Sequence, residues 1–306
     1  MSKKDKLSVV VSVFNGEKVL DGCLESASFA SEIIVINNTS TDETLKIAKK
    51  HTDKIFTKSN NLMLNINKNF GFSKATGEWI FCLDADERIS PELAEELKFQ
   101  VKNVQEDVNG FWIPRKNIIF GKWIEYAGWY PDYQLRLFRK GKGKFPEEHV
   151  HEAIKINGKV EYLRNAIVHN NYESITQFLS KLTYIYGPNE AEQLIKNGYV
   201  FNWRDSIRFP VKEFLSRYFA REGYKDGFHG LMLSVLMGFY HFIVFSYIWE
   251  KQKFKQINDK AMLVETEKEI IKSSKDIFYW FSREKTKLTK NPLLRIIRRI
   301  KIKART

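Results

Sequence analysis

The sequence of 306 residues contains only two cysteines, Cys23 and Cys82. Both lie in apolar segments and neither has a partner at metal-ligand spacing, which argues against a disulfide framework and against a cysteine-ligated metal. Isolated cysteines of this kind are typically small buried hydrophobic residues of a protein from a reducing compartment. We therefore expect both side chains to belong to the core.

The sequence also lacks an internal repeat, a low-complexity linker and a signal-peptide pattern, since the charged residues 2–6 lead directly into an apolar run. This favours a cytoplasmic location. Hydrophobic residues make up 43% of the chain, which excludes global disorder. Acidic residues are fewer than basic ones, 37 against 50, and the net charge of +13 indicates an anionic partner. Nucleic acid, an anionic membrane face and a phosphorylated substrate all fit that charge.

The first hundred residues alternate short apolar runs with helix-like segments, a pattern typical of an α/β domain with a parallel sheet. Leu7–Val13 is rich in valine and almost continuously apolar, as expected of a strand that is covered on both faces. Further strands are predicted at residues 33–36, 54–56 and 79–83. Helices are predicted to begin at three caps, which are Asn15, the capping box Ser40-Thr-Asp-Glu43 and Ser90-Pro91.

The pattern changes after about residue 100, and it is helical from about residue 174 to the end. Strands predicted at Phe111–Arg115 and Gln134–Arg139 flank a stretch rich in glycine and aromatic residues, 120–131. Loops of this kind often carry binding function on a rigid scaffold. The chain is therefore predicted to have one α/β domain at 1–173 and a helical, basic region at 174–306.

Two segments of the helical region indicate contact with a membrane. Phe228–Trp249 has no charged residue over a length close to the ~20 residues that cross a bilayer. It also contains histidines, serines and many aromatic residues, so a buried or membrane-surface helix is favoured over a spanning one. The tail Asn291–Arg305 alternates leucine and isoleucine with arginine and lysine, as in an interfacial helix attracted to anionic lipid. A solvated basic terminus is the alternative.

Two aspartates separated by one residue, Asp84 and Asp86, follow the apolar run 79–83. An Asp-x-Asp sequence is weak evidence by itself, because many solvated turns contain it. Here the preceding run must be buried, so both carboxylates emerge at the carboxyl end of a strand, where open α/β sheets bind their ligands. Carboxylates at that edge suit a hard divalent cation such as Mg²⁺ or Mn²⁺ bound together with a diphosphate.

These motifs together resemble the family 2 inverting glycosyltransferases, which have the GT-A fold. The longer pattern is similar to the subgroup of lipopolysaccharide core β-1,4-glucosyltransferases. The matching segments are 11–17, 33–44, 67–71, 75–87, 128–143, 150–152 and 224–230. The resemblance implies a Rossmann-like mixed sheet flanked by helices, with a nucleotide-sugar half at about 1–100 and an acceptor half at about 101–173.

The resemblance also implies roles for individual residues on the donor side. Asn37 and Asn38 stand where the family usually has an aspartate that accepts a hydrogen bond from the base. An asparagine keeps the carbonyl acceptor but loses the charge, so a uridine donor is favoured while the identity of the base stays open. The residues expected to contact the nucleotide sugar are Val13, Phe14, Glu17, Asn37, Asn38, Lys68, Asp84 and Ala85, with Asn69 as a weaker candidate.

On the acceptor side the resemblance implies that Asp132 is the general base. Inverting transfer needs a carboxylate that takes the proton of the acceptor hydroxyl as the new bond forms. Gln134 and Arg136 alternate onto one strand face and are candidates to hold the acceptor or the diphosphate. Aromatic rings that could stack on sugars, or that belong to the core, are Trp123, Trp129 and Tyr130.

The metal is expected to be bound by Asp86 and Asp84 and by a histidine that follows them in the chain. His151 is the first choice for this third ligand and His169 the second. A lone histidine is also commonly a hydrogen-bonded structural residue, so the choice between them stays open.

The sequence thus predicts a metal-dependent inverting glycosyltransferase that transfers a hexose from a nucleotide-diphosphate sugar to a lipopolysaccharide-core or other lipid-linked glycan. It is expected to lie on the cytoplasmic face of the plasma membrane, as a monomer or a homo-oligomer, without a nucleic-acid partner. A polyprenyl-phosphate or protein glycosyltransferase of the same fold is the alternative enzyme. A basic nucleic-acid-binding protein, or a binding-only relative, is the alternative outside enzymes; the second is disfavoured because Asp84, Asp86 and Asp132 are all present.

Overall fold

The computed structural model describes residues 6–59, 64–147, 153–257 and 260–303. The chain forms two compact units. Unit 1 comprises Met1–Ile119 and Tyr130–Asn171, and unit 2 comprises Phe120–Trp129 and Tyr172–Thr306.

The strands of unit 1 are β1 Leu7–Val13, β2 Glu32–Asn37, β3 Ile55–Thr57, β4 Trp79–Asp84, β5 Glu87–Ile89, β6 Val108–Ile113, β7 Arg115–Ile119, β9 Gln134–Arg139, β10 Gly143–Lys144, β11 Lys155–Ile156, β12 Lys159–Tyr162 and β13 Ile167–Tyr172. Seven of them form a mixed sheet in the order β12-β6-β9-β4-β1-β2-β3. Strands β4, β1, β2 and β3 are parallel to one another, whereas β9 runs antiparallel to β4 and β6. In a second sheet, β13 lies between β5 and β7, and β10 pairs with β11 in a short hairpin.

Helices cover both faces of the large sheet, which explains why its central strands are apolar throughout. Successive residues of a strand point to opposite faces, so Val9 and Val11 enter one core while Val10 enters the other. Burial on both faces is the reason why β1 shows no polar alternation. The helices of unit 1 are α1 Leu20–Ser26, α2 Thr44–Ala48, α3 Leu64–Lys74 and α4 Pro91–Asn103.

The predicted α/β fold, a mixed sheet flanked by helices with a helical region after it, is confirmed. Both cysteines are buried and free, as expected. The cap at Ser90 is also present, because its side chain accepts a hydrogen bond from the backbone N–H of Leu93. The caps predicted at Asn15 and Ser40 are wrong, since α1 begins at Leu20 and α2 at Thr44.

Unit 2 is helical apart from the two-residue strand β8, Lys122–Trp123. Its helices are α5 Ile175–Lys181, α6 Gly187–Lys196, α7 Asp205–Leu215, α8 Phe228–Lys251, α9 Met262–Leu288 and α10 Pro292–Lys303. π-helical turns at Leu182–Tyr186 and Ser216–Ala220 and a 3₁₀ turn at Gly223–Asp226 connect them. The loop 120–129 belongs to this unit because Asp226 accepts hydrogen bonds from the backbone N–H groups of Glu125 and Tyr126.

Helix α8 is the one helix of the described chain that is long and apolar enough to cross a membrane by length and composition. It packs against α6 and α7 through a buried face that includes Leu233, Val244 and Ile248. Its opposite face is exposed and equally apolar, and it carries Phe228, Met232, Val235, Phe239, Phe242 and Trp249. The spacing of four and three residues places these six side chains on one stripe of the helix.

Candidate active site

The carboxyl edge of the parallel strands brings together the loops that follow β1 and β2. The side chain of Asn15 accepts from the backbone N–H of Thr41 at 2.8 Å, and the Asn15 N–H donates to Ser40 Oγ at 3.0 Å. A second pair of contacts joins the same loops, because Glu17 Oε2 accepts from the Glu43 N–H at 3.2 Å and the Glu17 N–H donates to Asp42 Oδ2 at 3.1 Å. The residues predicted as helix caps therefore cross-link two loops at the edge where a nucleotide is expected.

The first group of predicted donor residues lies at this edge with differing exposure. Val13 is buried at the end of β1, and Phe14 and Glu17 are exposed in the loop that follows. Asn37 and Asn38 are buried at the end of β2.

The carbonyl oxygens of both asparagines are engaged within the protein. Asn37 Oδ1 accepts from the Ser40 N–H at 3.1 Å, and Asn38 Oδ1 accepts from Asn67 Nδ2 at 2.8 Å. Asn38 Nδ2 also donates to Ser12 Oγ at 3.0 Å. These contacts hold the ends of β1, β2 and α3 together.

Asp84 lies between two cationic side chains at the end of β4. Its Oδ1 is 2.5 Å from Lys68 Nζ, and its Oδ2 is 2.5 Å from Arg136 Nη2. Burial raises the pKa of this carboxyl, but the charges of Arg136 and Lys68 outweigh burial and hold the pKa well below its usual value. Asp84 is therefore ionised at neutral pH, and each of its oxygens accepts from one cationic side chain.

Glu87, at the start of β5, connects this pair to the acceptor side. Its side chain is completely buried, and Oε1 accepts from Arg136 Nη2 at 2.8 Å and from Arg115 Nη1 at 3.4 Å. Oε2 accepts from the backbone N–H of Asp84 at 3.0 Å. A buried carboxylate needs cationic partners and full hydrogen bonding to be tolerated, and here strands β4, β7 and β9 supply them.

Asp132, the predicted base, precedes β9 and is held by three side chains. Arg115 donates to Oδ2 through Nε at 2.8 Å and Nη2 at 2.6 Å, and Asn117 Nδ2 donates to the same oxygen at 3.2 Å. Gln134 Nε2 donates to Oδ1 at 2.8 Å. Burial raises the pKa of Asp132, but Arg115 outweighs it and the net pKa is lowered. Oδ1 accepts from one side chain only and keeps a second lone pair for an acceptor hydroxyl.

Asn117 also fixes the orientation of His169, which lies on β13. The Asp132 carboxylate only accepts, so the NH₂ group of Asn117 must face it, and Oδ1 of Asn117 then faces His169 Nδ1 at 2.7 Å. A proton on Nδ1 is required for that contact, which assigns the lone pair of neutral His169 to Nε2. His169 Nε2 lies 3.6 Å from Asp86 Oδ2.

Asp86 and His169 fit two positions around a divalent cation. A carboxylate oxygen and an imidazole lone pair are suitable ligands for such a cation. A metal-binding histidine usually donates the N–H of its other ring nitrogen to a neighbouring group, as His169 does to Asn117. Asp84 pairs with Lys68 and Arg136, and each of its oxygens keeps a second lone pair, so its role as a further metal ligand stays a prediction. Within the described ranges, no three acidic, histidine or cysteine side chains are grouped to hold a metal alone. Such a site would need donor phosphate oxygens, as Mg²⁺ sites commonly do.

The other predicted residues of the described chain lie outside the cluster of Asp84, Glu87 and Asp132. Ala85 and Tyr130 are half-buried within unit 1, and Asn69 bonds to the backbone of Phe145. Trp123 and Trp129 belong to unit 2, where the Arg217 guanidinium stands over the Trp129 ring at 5.3 Å. His151 lies outside the described residues.

Sequence reasoning missed Arg115, Asn117 and Glu87. The available signal for Glu87 was its position directly after Asp84-Ala-Asp86, at the strand end where a ligand is expected. Arg115 and Asn117 alternate on β7 in the same way that Gln134 and Arg136 alternate on β9. Four polar residues at alternating positions on two strands indicate a polar face turned to one site.

Comparison with known proteins identifies the family. Residues 8–158 match the model of the family described as glycosyl transferase family 2. The lipopolysaccharide core biosynthesis glycosyltransferase LpsC of Rhizobium meliloti is 25% identical over 261 residues, which cover 83% of this chain and 96% of LpsC. An uncharacterized glycosyltransferase of Rickettsia typhi is 26% identical over 251 residues, covering 78% of this chain and 85% of that protein.

Among solved structures, S. aureus TarS 1-349 in complex with UDP-GlcNAc matches with 15% identity and a TM-score of 0.44. The match covers 83% of this chain and 93% of that one. The family match spans the strands and loops that carry Asp84, Asp86 and Asp132. This chain belongs to glycosyl transferase family 2 and is a glycosyltransferase.

Proposed function

We propose that the enzyme transfers a hexose, with inversion, from a nucleotide-diphosphate sugar to a lipopolysaccharide-core or other lipid-linked glycan at the cytoplasmic face of the membrane. The observation that carries this proposal is that Glu87 and two arginines connect Asp84 with Asp132 at one strand edge, where Asp86 lies beside His169. A UDP-sugar is the favoured donor.

The donor diphosphate is expected to lie beside Lys68 and Arg136. Both cations are largely buried and already face Asp84, so they are positioned before the substrate arrives. A phosphate group that enters this edge meets fixed positive charge in a site with little water, where each charge interaction is stronger than in solution. Arg136 suits this role because its planar guanidinium can contact two oxygens at once.

Enzymes of this family generally depend on a divalent cation. We propose that Asp86 and His169 hold it, with His169 rather than His151 as the histidine ligand. The cation supplies charge neutralisation of the leaving diphosphate. Asn117 keeps the Nε2 lone pair of His169 directed at that position because Asn117 Oδ1 accepts a hydrogen bond from His169 Nδ1–H.

Asp132 is proposed as the base that takes the proton of the acceptor hydroxyl on Oδ1. Its lowered pKa keeps it ionised at neutral pH, and Arg115 fixes its orientation through two hydrogen bonds. A fixed carboxylate reduces the entropy that is lost when the acceptor is aligned for attack.

The acceptor assignment is supported by the relative LpsC, which is named for lipopolysaccharide core biosynthesis. In the proposed division of labour, residues 1–173 supply the donor and acceptor sides of the site and residues 174–306 contact the membrane. The exposed stripe of α8 and the basic, apolar sequence of α10 suit an anionic membrane surface.

Peripheral attachment is favoured over a spanning α8. In unit 2, His241 of α8 lies 3.7 Å from the Glu213 carboxylate, and Tyr240 donates to Glu190. These acidic partners stand beside the middle of the helix, where a bilayer would have its hydrocarbon core, and buried acidic groups are costly there.

The test is to incubate the full chain and Mn²⁺ with UDP-, GDP- and dTDP-hexoses and with lipopolysaccharide that has a truncated core. We expect one hexose to be added to the core, detected by mass spectrometry, with the largest yield from a UDP-sugar. Transfer from all three nucleotides at equal rates would contradict the donor assignment. Transfer to polyprenyl phosphate, with none to the truncated core, would contradict the acceptor assignment.

A further inference from the structure

A second concave surface of unit 1 is lined by lysines. It is a groove of ≈ 750 Å³ bounded by α3, by the turn between β9 and β10, and by β11. This volume is within the range of small-molecule sites. We call this surface the lysine groove, because the charged residues of its lining are Lys140, Lys142, Lys144, Lys155 and Glu147.

The lysines of this groove have no acidic partners among the described residues. The ion pairs of the described chain include none of the four, although many other lysines of the protein pair with a neighbouring glutamate. The one carboxylate in the lining, Glu147, accepts a hydrogen bond from Asn69 Nδ2 at 2.6 Å. Among the described lining residues, four cations stand against one engaged anion, and this excess of positive charge favours an anionic ligand.

Two of these lysines stand directly opposite each other on paired strands. In the hairpin of β10 and β11, Lys144 is the cross-strand partner of Lys155. Like charges at directly opposed positions destabilise a two-stranded pair, and here the pair comprises only two residues from each strand. An anion bound between the two ammonium groups would replace this repulsion with attraction.

We propose that the lysine groove binds a phosphate or carboxylate group carried by the glycan acceptor. This assignment rests on the proposed function for the identity of the substrate, whereas the anion site itself depends only on the geometry of the groove. The ligand class is an oligosaccharide with an anionic substituent outside the sugar that accepts the hexose.

The position of the groove separates it from the donor diphosphate. The backbone N–H of Lys140 donates to the Glu78 carbonyl, next to the start of β4, whereas Asp84 ends that strand. Ile80 lines the groove and lies four residue steps along β4 from Asp84, which corresponds to about 13 Å. The diphosphate beside Asp84 therefore leaves Lys140 and Lys142 free for a second anionic group.

Helix α3 connects the groove to the proposed reaction centre. Asn69, in the groove wall, holds Phe145 through two backbone hydrogen bonds, and the adjacent Lys68 reaches Asp84 and stands 5.5 Å from the Phe145 ring. An acceptor that extends from the reaction centre along α3 would reach the lysines. Because the lysines are remote from the reacting atoms, they should contribute equally to ground-state and transition-state binding and affect KM rather than kcat.

The experiment compares the wild type with Lys142→Ser/Lys155→Ser and with a matched control, Lys49→Ser/Lys50→Ser, which removes the same charge from an exposed site immediately after α2. The first measurement is the Tm of the full chain in sodium phosphate against sodium chloride at equal ionic strength. We expect phosphate at ten times its Kd to raise the Tm of the wild type and of the control by about 3 °C. The groove variant should show a smaller shift, because only the cations of the donor site remain to bind phosphate, and it should still fold, because it loses a repulsive pair.

The second measurement is KM for acceptor glycans with and without their phosphate groups. In the wild type and the control, removal of phosphate should raise KM about tenfold at constant kcat, and in the groove variant the two glycans should have equal KM.

Equal phosphate-induced Tm shifts in all three proteins would overturn the anion site. A reduced Tm shift in the groove variant with no effect of glycan phosphate on KM would overturn the acceptor assignment. The acceptor assignment would also be overturned if the lysines affected KM only when anionic vesicles were present. Absence of any hexose transfer would instead refute the proposed function, and the Tm comparison would still decide the anion site.

Discussion

Charged side chains of unit 1 meet inside the protein, whereas apolar side chains of unit 2 remain at its surface. Glu87 has no exposed surface, and two arginines bring it into contact with both Asp84 and Asp132. On α8, by contrast, Phe239 and Phe242 are 43% and 42% exposed. Each arrangement is costly in an isolated soluble protein, so each is explained by a function. The first fits fixed charges for catalysis, and the second fits a surface that contacts lipid.

The largest expected effect concerns the proposed base. Asp132→Asn keeps the size of the side chain and removes its ability to take a proton, so kcat should fall by about 10²–10⁴-fold. The measurement is the initial rate of hexose transfer with saturating donor. Asp107→Asn is the control because Asp107 is 63% exposed, and its rate should equal that of the wild type. A rate for Asp132→Asn within a factor of two of wild type would remove Asp132 from this role.

The next effect is on stability, and it tests the buried cluster. Glu87→Gln leaves Arg115 and Arg136 facing an uncharged amide, and loss of one partner of a buried ion pair typically costs about 3 kcal/mol. Chemical unfolding in urea measures the change in the free energy of unfolding. The matched variant Glu95→Gln breaks an exposed pair with Lys98 and should cost less than about 1 kcal/mol. Equal losses in the two variants would show that burial of Glu87 is unimportant.

The third effect is a shift in pH dependence. Arg115 lowers the pKa of Asp132 by charge and hydrogen bonding, so Arg115→Gln should raise that pKa. A base acts only when it is deprotonated. As the pH is lowered, kcat/KM of the variant should therefore begin to fall at a higher pH than kcat/KM of the wild type. The profile of kcat/KM against pH measures this acid limb. An unchanged limb would mean that Asp132 does not control it.

The smallest expected effect on the isolated enzyme comes from the exposed stripe of α8. Phe239→Ser/Phe242→Ser removes two neighbouring rings, whose centroids are 6.4 Å apart, and binding to anionic vesicles should fall about tenfold. The free energy of unfolding should change by about 0.5 kcal/mol or less, because surface substitutions are usually mild. Sedimentation with vesicles measures the binding. Undiminished sedimentation would place the membrane contact elsewhere.

Continuous local patterns were sufficient to predict much of the sheet. The bounds predicted for β1 and β9 are those of the structure. Strand β1 is nearly continuous in apolar residues because it is buried on both faces, and β9 shows the two-residue alternation of polar and apolar side chains that is typical of a strand. The caps at Asn15 and Ser40 failed for a non-local reason. Both residues can cap a helix, but each instead bonds to the loop that contains the other. Local sequence does not contain that pairing.

The aspartates of the candidate site could be predicted from the sequence, but the ion pairs that connect them could not. Asp84, Asp86 and Asp132 were identified from strand ends and family resemblance. The role of Glu87 depends on arginines 28 and 49 residues away in the chain, which come together only when β7 and β9 assemble. The geometric case for His169 likewise depends on the pairing of β13 with β5, which places it beside Asp86.

The most direct test of the proposed centre is the metal dependence of nucleotide release at Asp86. Wild-type protein and Asp86→Asn are freed of metal with EDTA, and release of nucleotide from the donor sugar is measured as Mn²⁺ is added. The account predicts no release without metal, full recovery of the wild type with Mn²⁺, and at least about a 100-fold lower rate in the variant. Release by the metal-free wild type, or recovery of Asp86→Asn to the wild-type rate, would contradict it.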